Sequence, residues 1–108
     1  MFTVDANGRI ETIKGDTGII ELALDDYQLK NGDKVYFTVK SNYESEHLIF
    51  KEVTKFVDGK VKFVLTSEDT NLAIGTYLYD IQCNLADGRV DTVIKPNKFK
   101  VLGGITDV

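Results

Sequence analysis

This 108-residue chain has little of the chemistry that catalytic or metal-binding sites are built from. It contains one cysteine, one histidine, one proline, one methionine and no tryptophan. With Cys83 alone, an intrachain disulfide is excluded, and a small hydrophobe on an apolar strand face is the expected role of that thiol. One cysteine and one histidine do not make a zinc site without a carboxylate-rich partner set. Nucleophilic catalysis needs a nucleophile, a base and an orienting group within reach of one another; His47, beside Glu46 in a polar stretch, has no such companions. The expectation is therefore no enzyme, no cofactor and no catalytic, cofactor-binding or metal-binding residue.

Other absences narrow the partners. No run approaches the 20 apolar residues that span a bilayer, and Met1–Asp5 has neither a basic start nor an apolar segment of signal length. No membrane partner and no signal peptide are expected, and the protein is expected to be made in the cytoplasm. Thirteen basic residues against seventeen acidic give a net charge of −4, with the lysines scattered. Nucleic acid needs a basic face to neutralise phosphate, so none is expected as a ligand. The 43% hydrophobic content is ordinary for a folded domain, and the length holds one core.

What the chain does have is turn chemistry and a two-residue period. Four Asx-Gly pairs, Asn7-Gly8, Asn31-Gly32, Asp58-Gly59 and Asp87-Gly88, mark places where positive φ is tolerated, as hairpin turns require. Between them Val35, Phe37 and Val39 alternate with polar neighbours, as do Ile20, Leu22 and Leu24, and Val61, Phe63 and Leu65. Tyr77, Tyr79, Ile81, Cys83 and Leu85 share one face of a longer strand. Arg89 to Ile94 is expected to return antiparallel to it, with Pro96 bending the chain before Phe99 and Val101. Leu48 to Val53 reads as a strand paired with Lys60 to Leu65 across the Asp58 turn. Helix has room for one turn, at Glu68 to Ile74. The polar corner at Leu65 to Ile74, followed by a long strand with tyrosines near its start, is how a chain passes between the sheets of a sandwich. The reading is an all-β fold: an immunoglobulin-like antiparallel β-sandwich of seven to eight strands, as one domain over residues 1–102.

The carboxylates Asp25-Asp26, Asp33, Glu68-Asp69, Asp80 and Asp87 invite calcium, but no spacing matches a calcium loop. Asx turns and caps, such as Asp69 with Thr70 and Asp16 with Thr17, are the simpler expectation. A tyrosine at a sandwich corner commonly hydrogen-bonds back to the corner backbone, which gives Tyr77 and Tyr79 structural work. Tyr27, Tyr36 and Tyr43 are expected at the surface, where tyrosine serves protein and sugar contacts alike.

Three phrases carry a family resemblance: Lys14-Gly15-Asp16-Thr17-Gly18 before an apolar strand, Asn31 to Val39 opening the next, and Glu68-Asp69-Thr70 with Gly75 to Gln82. Over about Ile13 to Val101 the chain resembles the small immunoglobulin-like structural proteins of phages and prophages of Gram-positive bacteria. More distantly it is similar to the N-terminal domain of phage baseplate upper proteins. The resemblance implies a virion component, in a tail, baseplate or capsid-surface position, acting by assembly with other virion proteins; a homo-oligomer is left open. Baseplate upper proteins continue into further parts whereas this sequence stops at Val108, which favours an adaptor or decoration role. A carbohydrate-binding module for bacterial surface polysaccharide is the alternative, motivated by the sandwich and the spare tyrosines. Residues 103–108, apolar after two glycines, are expected to form a flexible or partner-docking tail. Pro96 and the lysines at 95, 98 and 100 are expected to guard a sheet edge.

Overall fold

Each apolar stretch with a two-residue period becomes a strand, because that period turns one side of an extended chain to the core. The computed structural model describes residues 1–106. Its strands are β1 (Phe2–Val4), β2 (Ile10–Ile13), β3 (Gly18–Ala23), β4 (Lys34–Lys40), β5 (His47–Val53), β6 (Lys60–Leu65), β7 (Gly75–Asn84) and β8 (Val90–Leu102). Six form one sheet in the order β1-β2-β8-β7-β4-β5, and β3 and β6 form a second. The chain is an all-β sandwich of eight strands. The neighbours β8-β7-β4-β5 stand in the order G-F-C-C′ of an immunoglobulin variable-type sheet.

Antiparallel pairing holds throughout except at β2 and β8, which run parallel with Ile10 opposite Phe99 and Ile13 opposite Leu102. The larger sheet is therefore mixed. A second difference concerns β5. Its partner is β4, with Val35 opposite Val53 and Val39 opposite Ile49, and not β6. The Asp58-Gly59 turn closes only the isolated bridge between Val57 and Lys60. Beyond it β6 leaves for the other sheet and pairs with β3. The helical turn also falls elsewhere: among the described residues Asp25–Tyr27 forms the single 3₁₀ turn, and residues 68–74 form no helix.

The core is the inner face of both sheets. Val35, Phe37, Val39, Ile81, Cys83, Phe99 and Val101 from the large sheet meet Ile20, Val61, Phe63 and Leu65 from the small one, all buried. Phe37 is the hub, with ring centroids 5.7 Å from Phe63, 5.5 Å from Tyr79 and 6.2 Å from Phe99. Burial of each such side chain stabilises the fold by about 1.5–3 kcal/mol. Phe2 seals one side of the sandwich. Its ring packs edge-on against Phe99 and lies over Gly18, where a Cβ would come within 2.3 Å of it.

Polar bonds tie the segments that cross between sheets. The Thr70 hydroxyl, fully buried, donates to the Asp16 carbonyl at 2.7 Å, joining the β2–β3 crossing to the β6–β7 corner. Leu24 N–H donates to the Gly59 carbonyl at 3.0 Å, joining the β3–β4 and β5–β6 crossings. Tyr77 donates its hydroxyl to the Ala73 carbonyl, the corner bond expected of it, and Tyr79 reaches the Gly8 carbonyl in the β1–β2 turn.

Strand β8 is bent as expected, by two irregularities against β7, one spanning Lys95-Pro96. Its guarding residues divide. Lys95 and Pro96 lie on the stretch that β2 does not reach, whereas Lys100 sits inside the sheet between Thr76 and Glu11. After Leu102 the strand ends and residues 103–106 continue without one; Asp107 and Val108, the end of the expected tail, lie outside the described residues.

Candidate functional site

The two residues with nucleophile or base chemistry are not brought together. Cys83 is completely buried on the inner face of β7, and burial, then the charges of Asp91 and Asp33, push its thiol up from its ordinary value. His47 is exposed, opposite Lys40 on β4 and stacked on Phe50 at a centroid distance of 5.0 Å. Val35, opposite Cys83, is five residues from Lys40 along β4, about 17 Å.

The carboxylates disperse as well. Among the described residues no group of three or more His, Cys, Asp or Glu side chains could hold a metal ion. Asp33, 2% exposed, accepts from Lys30 N–H at 2.9 Å and Ala86 N–H at 2.8 Å, which joins the entry of β4 to the β7–β8 hairpin. Those two amides hold its carboxyl below the usual range despite burial. Asp87 is held low by the Arg89 amide and guanidinium in the same hairpin.

Asp69 departs from expectation in its partner. It accepts from Thr66 N–H at 2.8 Å while Thr66 Oγ1 accepts from Asp69 N–H at 3.1 Å; Thr70 instead bonds the Asp16 backbone. Asp16 likewise takes the Met1 amino group and not Thr17. Lys51 reaches Asp69 at 2.7 Å from β5. Burial raises the Asp69 carboxyl, but the bonds from Lys51 and Thr66 outweigh it and hold the group low.

The surface tyrosines also separate. Tyr27 is half-buried and donates to the Asp91 carboxylate, a bond that raises its phenol. Tyr36 stacks on Phe50 at 5.3 Å on the outer face of β4 and β5. Tyr43, in the β4–β5 loop, is 73% exposed.

Two surface regions remain with chemistry to spare. At one end of the small sheet Ile19 and Val64 face outward side by side, each about half exposed, with Met1 next to them. Near that end Ile105 stands free of the fold. On the outer face of the large sheet, a crevice of about 100 Å³ lies between β4, the β4–β5 loop, β7 and the β8 bulge. Thr38, Lys40, Asn42, Tyr43, Leu78, Asp80 and Pro96 line it, with Thr38 directly opposite Asp80 and Lys40 opposite Leu78. Burial raises the Asp80 carboxyl and the Lys40 charge opposes that rise, with no hydrogen bond contributing. Asp80 is the residue of this crevice that the sequence does not single out. Nothing in its spacing separates it from the other carboxylates, and only the bulge at Pro96 makes the space beside it.

No protein-family model matches the chain, and no curated protein is significantly similar to it.

Proposed function

We propose that this protein is a non-enzymatic structural component of a phage or prophage particle, an adaptor or decoration in a tail, baseplate or capsid-surface position, that works by assembly with other virion proteins. The observation that carries the reading is the apolar surface gathered at one end: Ile19, Val64 and Met1 beside the two-stranded sheet, and Ile105 beyond Gly103-Gly104. Single exposed hydrophobes are normal, but a cluster at an unpaired sheet marks a contact surface. Among the described residues neither β3 nor β6 has a strand neighbour on its second side, so each offers free backbone groups to an incoming strand. The resemblance of its turn and corner phrases to those of phage immunoglobulin-like proteins is what supports this partner class.

The test is incorporation. Particles induced from a strain carrying the gene should contain the protein, and deletion of residues 103–108 should abolish incorporation while leaving the melting temperature nearly unchanged. Particles without the intact protein, or with the truncated form at the same level, overturn the reading. The second reading, a carbohydrate-binding module, is favoured by one observation, the crevice beside Asp80.

A further inference from the structure

The crevice on the outer face holds a half-buried carboxylate that the fold does not use. Asp33, which is deeper, has two amides, and Asp69, half-buried like Asp80, has a lysine and a threonine. Asp80 experiences burial and the nearby charge of Lys40, with no hydrogen bond to its carboxylate. Its oxygens still reach solvent, so the carboxylate is free to accept hydrogen bonds from a molecule that enters the crevice.

The surroundings specify the ligand. Lys40 and Asp80 line the same crevice, so its formal charges sum to zero and a neutral ligand suits it. Donors and acceptors are interleaved: the Asp80 carboxylate accepts, the Thr38 hydroxyl does both, and the Asn42 amide keeps its NH₂ free because only its oxygen is engaged, by Glu44 N–H at 3.0 Å. Leu78, Pro96 and the exposed Tyr43 ring supply apolar walls. A volume near 100 Å³ admits part of one six-membered ring. Hydroxyls that each donate and accept, along the edge of a ring whose C–H face is apolar, match this set.

We propose that the crevice formed by Thr38, Asn42, Tyr43, Asp80 and Pro96 binds one pyranose unit of a neutral glycan, with Asp80 accepting from adjacent hydroxyls and Tyr43 covering the C–H face. This deepens the carbohydrate-binding reading of the crevice, which lies on the outer face of the large sheet away from Ile19 and Val64 on the small one, so it and the assembly assignment stand or fall separately. One small contact of this kind gives weak binding, with a dissociation constant on the order of 1–10 mM.

Titration of the ¹⁵N-labelled full chain tests it, with methyl α-glucopyranoside, methyl α-galactopyranoside and N-acetylglucosamine at tens of millimolar, and with lysine methyl ester and acetate as charged controls. At least one sugar should shift the amides of residues 38–43, 78–80, Lys95 and Asn97 saturably. Asp80→Ala should weaken that binding about tenfold or more, as loss of a charged hydrogen-bond acceptor does. Tyr43→Ala, in an exposed loop, should weaken it at an unchanged melting temperature. The proposal is overturned if none of the three sugars gives saturable shifts there, if the shifts survive both substitutions, or if only the charged controls bind.

Discussion

The two sheets contribute to one core by different means. In the large sheet β7 is paired by β8 on one side and, from Leu78 to Asn84, by β4 on the other, so its buried row from Tyr79 to Cys83 is fixed by two ladders as well as by packing. In the small sheet every strand is an edge, and β3 and β6 have only each other. A two-stranded unit is marginal in water. What holds it is Ile20, Val61, Phe63 and Leu65 packed on the large sheet, with bonds at the crossings fixing its ends. The difference teaches that the small sheet is the part whose place depends on side chains more than on pairing, and also the part that leaves backbone open to a partner.

The largest test of that contrast is Phe63→Ala. Removal of this ring from the centre of the small sheet's inner face should cost about 3–5 kcal/mol and lower the melting temperature by more than about 10 °C. Val64→Thr, one residue along and facing outward, should stay within about 0.5 kcal/mol of the parent. Similar melting points for the two variants would mean that packing does not hold this sheet.

Gly18→Ala probes the seal between the sheets and should cost less, about 1–3 kcal/mol, because the new Cβ forces the Phe2 ring away from its place over β3. The backbone at Gly18 is free of positive φ, so the clash alone sets the cost. In the double variant Phe2→Ala/Gly18→Ala the second substitution should be nearly free, and additive losses in chemical denaturation would show that the ring and the glycine do not act together.

The smallest effect concerns pH at the opposite end. Asp33 has a folded-state value below the ordinary 3.8 because two backbone amides bond its ionised form. Such a group adds stability that is present above the unfolded value and is lost as pH falls through the folded one. The gap in urea midpoint between the parent and Asp33→Asn should therefore be wide at pH 7 and narrow toward pH 3. A gap of constant width would show that the charge of Asp33 is not what clasps β4 to the hairpin.

Much of this was legible in the residues. The alternating runs place their apolar members inward at Val35, Phe37 and Val39, at Val61, Phe63 and Leu65, and from Tyr77 to Cys83. The corner tyrosine bonds where corner chemistry requires it. Turn chemistry was legible only locally. Asn7-Gly8 and Asp87-Gly88 close hairpins, whereas Asn31-Gly32 and Asp58-Gly59 stand before strands that join the other sheet. The local demand for positive φ is shared by all four, at Gly8, Gly32, Gly59 and Gly88. Which strand then pairs with which is decided by core packing far along the chain, and for that reason β5 could not be matched to β4 from its own residues. The acidic pair Asp25-Asp26 at the head of the 3₁₀ turn was the available sign of that turn, since acidic groups favour a helical N-terminus. The crevice depends on how β8 slips against β7, and no single stretch of sequence contains that offset.

The parallel pairing of β2 with β8 carries a consequence for how the chain is made. Ile10–Ile13 can find its ladder partner only after Phe99–Leu102 exists. Local pairs such as β4 with β5 close over short loops, but this one spans most of the chain, and long closures form slowly. During synthesis the first hairpin is therefore a waiting piece: β1 and β2 pair with each other, while Phe2 has no Phe99 to rest on and the β3 side of the core stays open. Strands made well before their partner are thus seated only after it, and the ring that seals the sandwich is seated with them.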